Sequence, residues 1–291
     1  MAANSSGTPG DRACGVTPVD AIEGLPDVIP GRRVFFHPVV PTSPHWIWHI
    51  LGLVGWEIAD TADEADWRVR YDLDTKVELP RDDPYSDLAA GWLNGGCVDI
   101  SKRRVQADFE RVFGYPLAVD PTTWHGRCLR KADQNCVKDA IILDCPITEA
   151  ALSPGQVYER LVDGSDGDGR LVEIRVFVAG AMLPIVRQKL LANWHDQRRL
   201  KTKILHHQAL PPSEVFSDQE IALLIEFSAA AGLDLGCLDV IRDREDGRIY
   251  VLDVTKTPGY SQSMRGDQAA LAVIARNFAR AWQASFPPAR P

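Results

Sequence analysis

Two carboxylates stand inside apolar runs late in the chain: Asp239 lies between Leu238 and Val240, and Asp253 between Leu252 and Val254. The residues around them alternate apolar and polar on either side of Asp246-Gly247, a dipeptide suited to a tight hairpin turn. Residues 238–242 and 249–254 therefore read as paired antiparallel strands, each carrying one carboxylate. A carboxylate in a buried sheet must be paired, hydrogen-bonded or metal-bound, because an unpartnered buried charge is too costly. Two of them on adjacent strands suit Mg²⁺, which takes one or two carboxylates and fills its other positions with water and phosphate oxygens. The competing reading is a pair of edge carboxylates facing water.

Basic residues upstream point to an anionic ligand. Arg130 and Lys131 end a strand expected over 127–131. Glu173 and Arg175 share one face of a strand over 172–178, where an arginine among apolar neighbours is either half of a salt bridge or a phosphate contact. Arg187 and Lys189 follow on a strand over 182–187 and just beyond it. Arg187 reads as a cleft wall meeting a carboxylate or phosphate, whereas Lys201 and Lys203 read as solvated charge. Lys102, Arg103 and Arg104 open a helix, and their simplest reading is also solvated charge, with an anion site as the second.

The elements that must position these groups are legible in outline. A helix is expected over 102–113, with Ser101 before it, apolar residues at 105, 109, 112 and 113, and Gly114 as its stop. Ser217 and Glu220 form a capping box ahead of a helix that stops near Gly232. Further helices are expected over 45–56 and 267–286, and further strands over 33–36, 56–59, 67–71, 141–145 and 157–162. Residues 188–208 are polar and aperiodic and read as a loop. On the helix over 45–56, His45, Trp46, Trp48 and His49 read as core and rim, with a substrate contact by His45 or Trp48 as the alternative. Three regions result: an α/β lobe over 31–115, a second region over 116–163 and a third over 164–291, after a flexible tail over 1–30 rich in Gly, Pro and Ser.

The chain has 291 residues and a net charge of −8, which argues against a general nucleic-acid or anionic-membrane binder. Its longest apolar run, 46–56, is too short to span a bilayer. Six cysteines occur without a CxxC pair, the pattern of reduced thiols in a cytoplasmic protein rather than of a zinc site.

The run Gly236-Cys237-Leu238-Asp239-Val240, a turn, and Tyr250-Val251-Leu252-Asp253-Val254-Thr255-Lys256-Thr257-Pro258-Gly259 resembles the metal-binding hairpin of the ATP-grasp superfamily. The resemblance implies an α+β protein of ATP-grasp fold, in which a small N-terminal α/β lobe precedes two α+β subdomains that clasp ATP. It implies Mg²⁺ on Asp239, Asp253 and Thr255, the last standing where the family has Asn. Lys131 matches the phosphate-contacting lysine, ahead of a loop over 132–139 that lacks the family's glycines and offers Lys138 instead. Tyr158, Glu159, Arg160 and Leu161 resemble the hinge whose backbone reads adenine, with Glu159 or Asp163 as the ribose acid. Arg175 matches the acid-x-Arg strand facing the transferred phosphate, Arg187 adds a further cation, and Lys256 with 261–265 falls where an acceptor carboxylate binds.

The activity implied is that of an ATP-dependent ligase forming carbon–nitrogen bonds, which activates a small-molecule carboxylate as an acyl-phosphate for an amine or other nucleophile. The alternatives are a small-molecule kinase of the same fold, or a nucleotide-binding scaffold without turnover, suggested by Thr255 and the glycine-free loop. Partners expected are small-molecule carboxylate and amine substrates, with no nucleic acid and no membrane; a homodimer is left open.

Overall fold

The computed structural model describes residues 24–78, 83, 85, 91–137, 139–192, 204–260 and 267–288. Alternation builds the first sheet: β1 (Arg33–Pro38) buries Val34 and Phe36. It pairs in parallel with β2 (Glu57–Ile58) and β3 (Trp67–Tyr71), in the order β2-β1-β3. The crossover is α1 (Trp46–Val54), whose buried Trp46, Ile47, Ile50 and Leu51 form one apolar stripe. It ends at Gly55 with φ 72°, a left-handed backbone that costs glycine least.

The chain then enters α2 (Lys102–Phe113), whose bounds match the expected helix and whose stop is Gly114. Ser101 occupies the capping position, but its hydroxyl makes no capping hydrogen bond. A second sheet follows: β4 (Gly126–Ala132), β5 (Ile141–Cys145) and β6 (Gln156–Arg160), antiparallel in the order β5-β4-β6.

The largest sheet has five antiparallel strands in the order β11-β10-β7-β8-β9. They are β7 (Leu171–Ala179), β8 (Met182–Leu191), β9 (Ile204–Leu210), β10 (Leu235–Arg242) and β11 (Ile249–Thr255). The expected loop over 188–208 is corrected at both ends. β8 runs on to Leu191, with Gln188 and Lys189 opposite Ile174 and Glu173, and β9 begins at Ile204. Its apolar period is missing because side chains here, Lys189 and His207 among them, stand in a polar row and not in a core.

Two helices complete the chain. The first, α3 (Asp218–Ala230), carries the full Ser217–Glu220 capping box, and the second, α4 (Gln268–Ser285), starts from an Asp267 cap. Helices α1 and α4 cover one face of the five-stranded sheet, where Trp46 stacks on Phe177 at 4.5 Å and Trp282 packs edge-on to Trp56. The other face carries Val176, Val178, Leu238 and Val254 against Phe109, Phe113 and Phe227 from α2 and α3. Among the described residues no helix is long and apolar enough to cross a membrane.

The parallel lobe is tied to the large sheet by polar groups as well as by packing. Asp72, just past β3, meets both Arg70 and Lys256, and all three side chains are buried. Asn94 accepts from the backbone N–H groups of Asp234 and Leu235 and donates its side-chain N–H to the Leu235 carbonyl, each at 2.8 Å. Gly232, at φ +68°, lies so close to Gly96 that a Cβ would come 2.4 Å from the Gly96 carbonyl carbon.

Candidate active site

Antiparallel pairing aligns side chains across strands in rows, and one row of the five-stranded sheet is charged along most of its length. Asp253 on β11 lies opposite Asp239 on β10, Asp239 opposite Arg175 on β7, and Arg175 opposite Arg187 on β8. The next row on the same face places Glu173 opposite Lys189, and Lys189 opposite His207. Towards the other strand ends this face becomes apolar, at Cys237, Phe177 and Ile185. One sheet face is thus core at one end and site at the other.

A register shift between Asp239 and Val240 leaves Leu252 without a partner on β10. This bulge lets Leu252 and Asp253 both line a cavity of about 300 Å³. Asp239, Glu173, Lys102 and Lys131 line it too.

In and behind its lining the charges are matched pair by pair. Arg175 donates from Nε and Nη2 to the two oxygens of Asp239, at 2.8 and 3.0 Å. Lys102 Nζ lies 2.6 Å from Asp253 Oδ2. Lys131 pairs with Glu159, which is fully buried and also accepts from Gln106 Nε2 at 3.2 Å. Lys189 pairs with Glu173.

Burial works against ionisation of Asp239, yet the Arg175 guanidinium outweighs it, helped by Lys189 and Lys102, and holds the carboxyl below the usual range. For Asp253 burial prevails over Lys102, Asp239 adds repulsion, and the carboxyl is pushed up. Arg187 is the converse case: burial first, then the neighbouring Arg175, lower its guanidinium to about 10.

These donors fit one Mg²⁺. Among the described residues no three His, Cys, Asp or Glu side chains gather to hold a metal alone. Two facing carboxylates are what a hard cation needs when substrate oxygens complete its shell, and a dication would offset the burial, and the lesser repulsion from Asp239, that raise Asp253. Thr255 stands one row further along, opposite Cys237, outside the lining of this cavity.

Similarity to solved structures bears on the fold. The chain superposes on an ATP-grasp ligase, PsnB in complex with a minimal precursor, with a TM-score of 0.52 and 13% identity over 88% of this chain and 99% of that one. The chain has the ATP-grasp fold. It also matches the D-alanine–D-alanine ligase of Bacillus anthracis (12% identity, 88% and 99% covered, TM-score 0.47) and the D-cycloserine synthetase DcsG (15%, 86% and 99%, 0.45). No protein-family model and no curated protein sequence matches it. Lys131 on β4 and the carboxylates of β10 and β11 line the same cavity.

Of the residues singled out from sequence, Lys131, Glu159, Arg175, Asp239 and Asp253 come together around this space, and Arg187 continues their row. Glu159 meets a lysine rather than solvent. The other residues expected at the hinge have different partners. The Tyr158 hydroxyl accepts from the Ser153 N–H at 2.9 Å, and Asp163 accepts from the Ser165 N–H at 2.9 Å. Arg160 binds Asp243 at 2.8 Å and lies over the Tyr250 ring, clamping β6 to the β10–β11 turn, and Leu161 donates its N–H to the Arg127 carbonyl. Lys256 is buried against Asp72. Lys138, Lys201, Lys203 and residues 261–265 lie outside the described residues.

The reading of Lys102 as solvated charge is corrected: its side chain is 8% exposed and bound to Asp253. A signal for it existed. A cation in the first helical turn opposes the helix dipole, and α2 has no acidic residue there to offset it. A lysine so placed calls for a carboxylate from elsewhere in the fold.

Proposed function

We propose that this chain is an ATP-dependent ligase that activates a small-molecule carboxylate as an acyl-phosphate for capture by an amine or other nucleophile. The observation that carries the reading is the convergence of Lys102 and Lys131 with Asp239 and Asp253 on one cavity, with Arg175 bound to Asp239 behind it. Lys102 and Lys131 would exchange their carboxylate partners for phosphate oxygens, and Arg175 would face the group in transfer. Cations aimed at phosphoryl oxygens in a confined site supply positioning and charge stabilisation, so no protein nucleophile is needed. Asp239 and Asp253 would hold Mg²⁺, which supplies charge neutralisation at the phosphates when bound. Glu159, buried beside Lys131, holds that ammonium until phosphate takes its place.

The test is calorimetric titration of ATP with and without Mg²⁺ on the wild type and on Asp253→Ala. Magnesium-dependent binding lost in the variant supports the site, and no binding under any condition overturns it. With binding established, ADP release that requires both a carboxylate and an amine marks the ligase. A phosphorylated product formed without amine marks a kinase instead.

A further inference from the structure

The three-stranded sheet carries two thiols that the site above does not use. Cys128 on β4 lies opposite Leu143, and Cys145 at the end of β5 lies opposite Gly126. They are therefore diagonal neighbours on one face of an antiparallel pair. Their Sγ atoms are 3.0 Å apart. A disulfide requires roughly 2 Å, so the two sulfurs stand about 1 Å from bonding distance. The surroundings divide the roles: Cys128 is wholly buried, whereas Cys145 is partly exposed. Burial, and then Cys145 itself, push the Cys128 thiol up to about 12.

We propose that Cys128 and Cys145 form a reversible disulfide site in this sheet, oxidised by a peroxide and reset by small thiols. Cys145, the accessible sulfur, attacks the peroxide as its thiolate; the O–O bond breaks, giving a sulfenic acid and, with hydrogen peroxide, one water. The Cys128 sulfur then attacks the sulfenic sulfur. The S–S bond forms, the S–O bond breaks, and the hydroxyl leaves with the Cys128 proton as a second water. Two thiols are oxidised and one peroxide is reduced. Exchange with a reducing thiol reverses the step. The bond ties β4, which carries Lys131, to the edge strand β5.

The competing thiol is Cys136, exposed in the turn between these strands. The experiment uses the full chain: treatment with hydrogen peroxide, alkylation with iodoacetamide under denaturing conditions, and non-reducing tryptic mass spectrometry. Linkage predicts the peptide 128–130 joined to the peptide 139–160, lighter than the sum of the two by two hydrogens and absent after dithiothreitol. Alkylation falls equally at both positions, while Cys97 and Cys237 stay fully alkylated. Cys145→Ser abolishes the linked pair, and Cys136→Ser leaves its yield unchanged. Recovery of Cys145 as sulfinic acid beside free Cys128 overturns the proposal. Loss of the linked pair in Cys136→Ser overturns it too, because the bond would then arise by exchange through the exposed thiol. The linked peptide in the wild type decides the matter even if Cys145→Ser fails to fold.

Discussion

Replacing Lys102 with Met keeps most of the apolar stem and deletes the ammonium that lies 2.6 Å from Asp253 Oδ2. At an effective dielectric of ~20 the bare attraction at that distance is roughly 6 kcal/mol. Desolvation of both ions offsets part of it, and removing one member of a buried pair costs about 3–5 kcal/mol. Asp253 keeps 22% of its side-chain surface exposed, so the expected loss falls below that range, at about 2–3 kcal/mol at neutral pH. The pH dependence has a definite sign. Asp253 is already pushed up by burial, and losing Lys102 raises it further. A carboxyl whose folded pKa is raised destabilises fully above that pKa, and the penalty is relieved as pH falls towards the unfolded value of about 3.9. Urea denaturation of wild type, Lys102→Met, Asp253→Asn and the double variant, at neutral pH and near pH ~5, measures both effects. The double variant should recover about 1–2 kcal/mol relative to the sum of the singles. Additive singles together with a Lys102→Met penalty that does not change with pH would refute the pairing.

Two further outcomes follow from the lobe contacts. Gly232→Ala forces a Cβ to 2.4 Å from the Gly96 carbonyl carbon at a backbone φ of +68°, so a loss of about 3 kcal/mol or more is expected; a thermal midpoint within a degree or so of wild type would show that this approach is not maintained in solution. Asp72→Asn leaves the buried Lys256 and Arg70 facing a neutral amide, at a cost of about 3–5 kcal/mol. Adding Lys256→Met should return part of it in denaturation experiments, and a double variant no better than the single would place Lys256's main partner elsewhere.

What could be read in advance divides by range. The hairpin around Asp239 and Asp253 was legible because its alternation and its Asp-Gly turn are local, and so was the Ser217–Glu220 box, which spans a single helical turn. Arg175 was recognised as needing a partner, but the choice of Asp239, 64 residues away, belongs to the strand order. Lys256 and Asp72 are separated by 184 residues, and nothing near either names the other. Residues 204–210 escaped notice for a different reason: a strand lining a polar row shows no apolar period, so a pattern tuned to cores reads it as loop. Lys102 fell between these cases, since its helix was legible and its burial was not.

The bulge in the β10–β11 hairpin bears on how positions in this stretch may be counted. From the turn, where Arg242 faces Ile249, regular pairing would bring Asp239 opposite Leu252 and put Asp253 on the wrong face. From the open end, where Cys237 faces Thr255, the same rule brings Asp239 opposite Asp253. The two counts disagree by one residue, and that residue is the unpaired Leu252. A strand obeying strict parity could offer the cavity the apolar side chain or the carboxylate, never both in succession. Any alignment or graft that transfers this hairpin must therefore anchor on Thr255 and not on the Asp246-Gly247 turn, because an offset harmless to the turn would carry Asp253 out of the cleft.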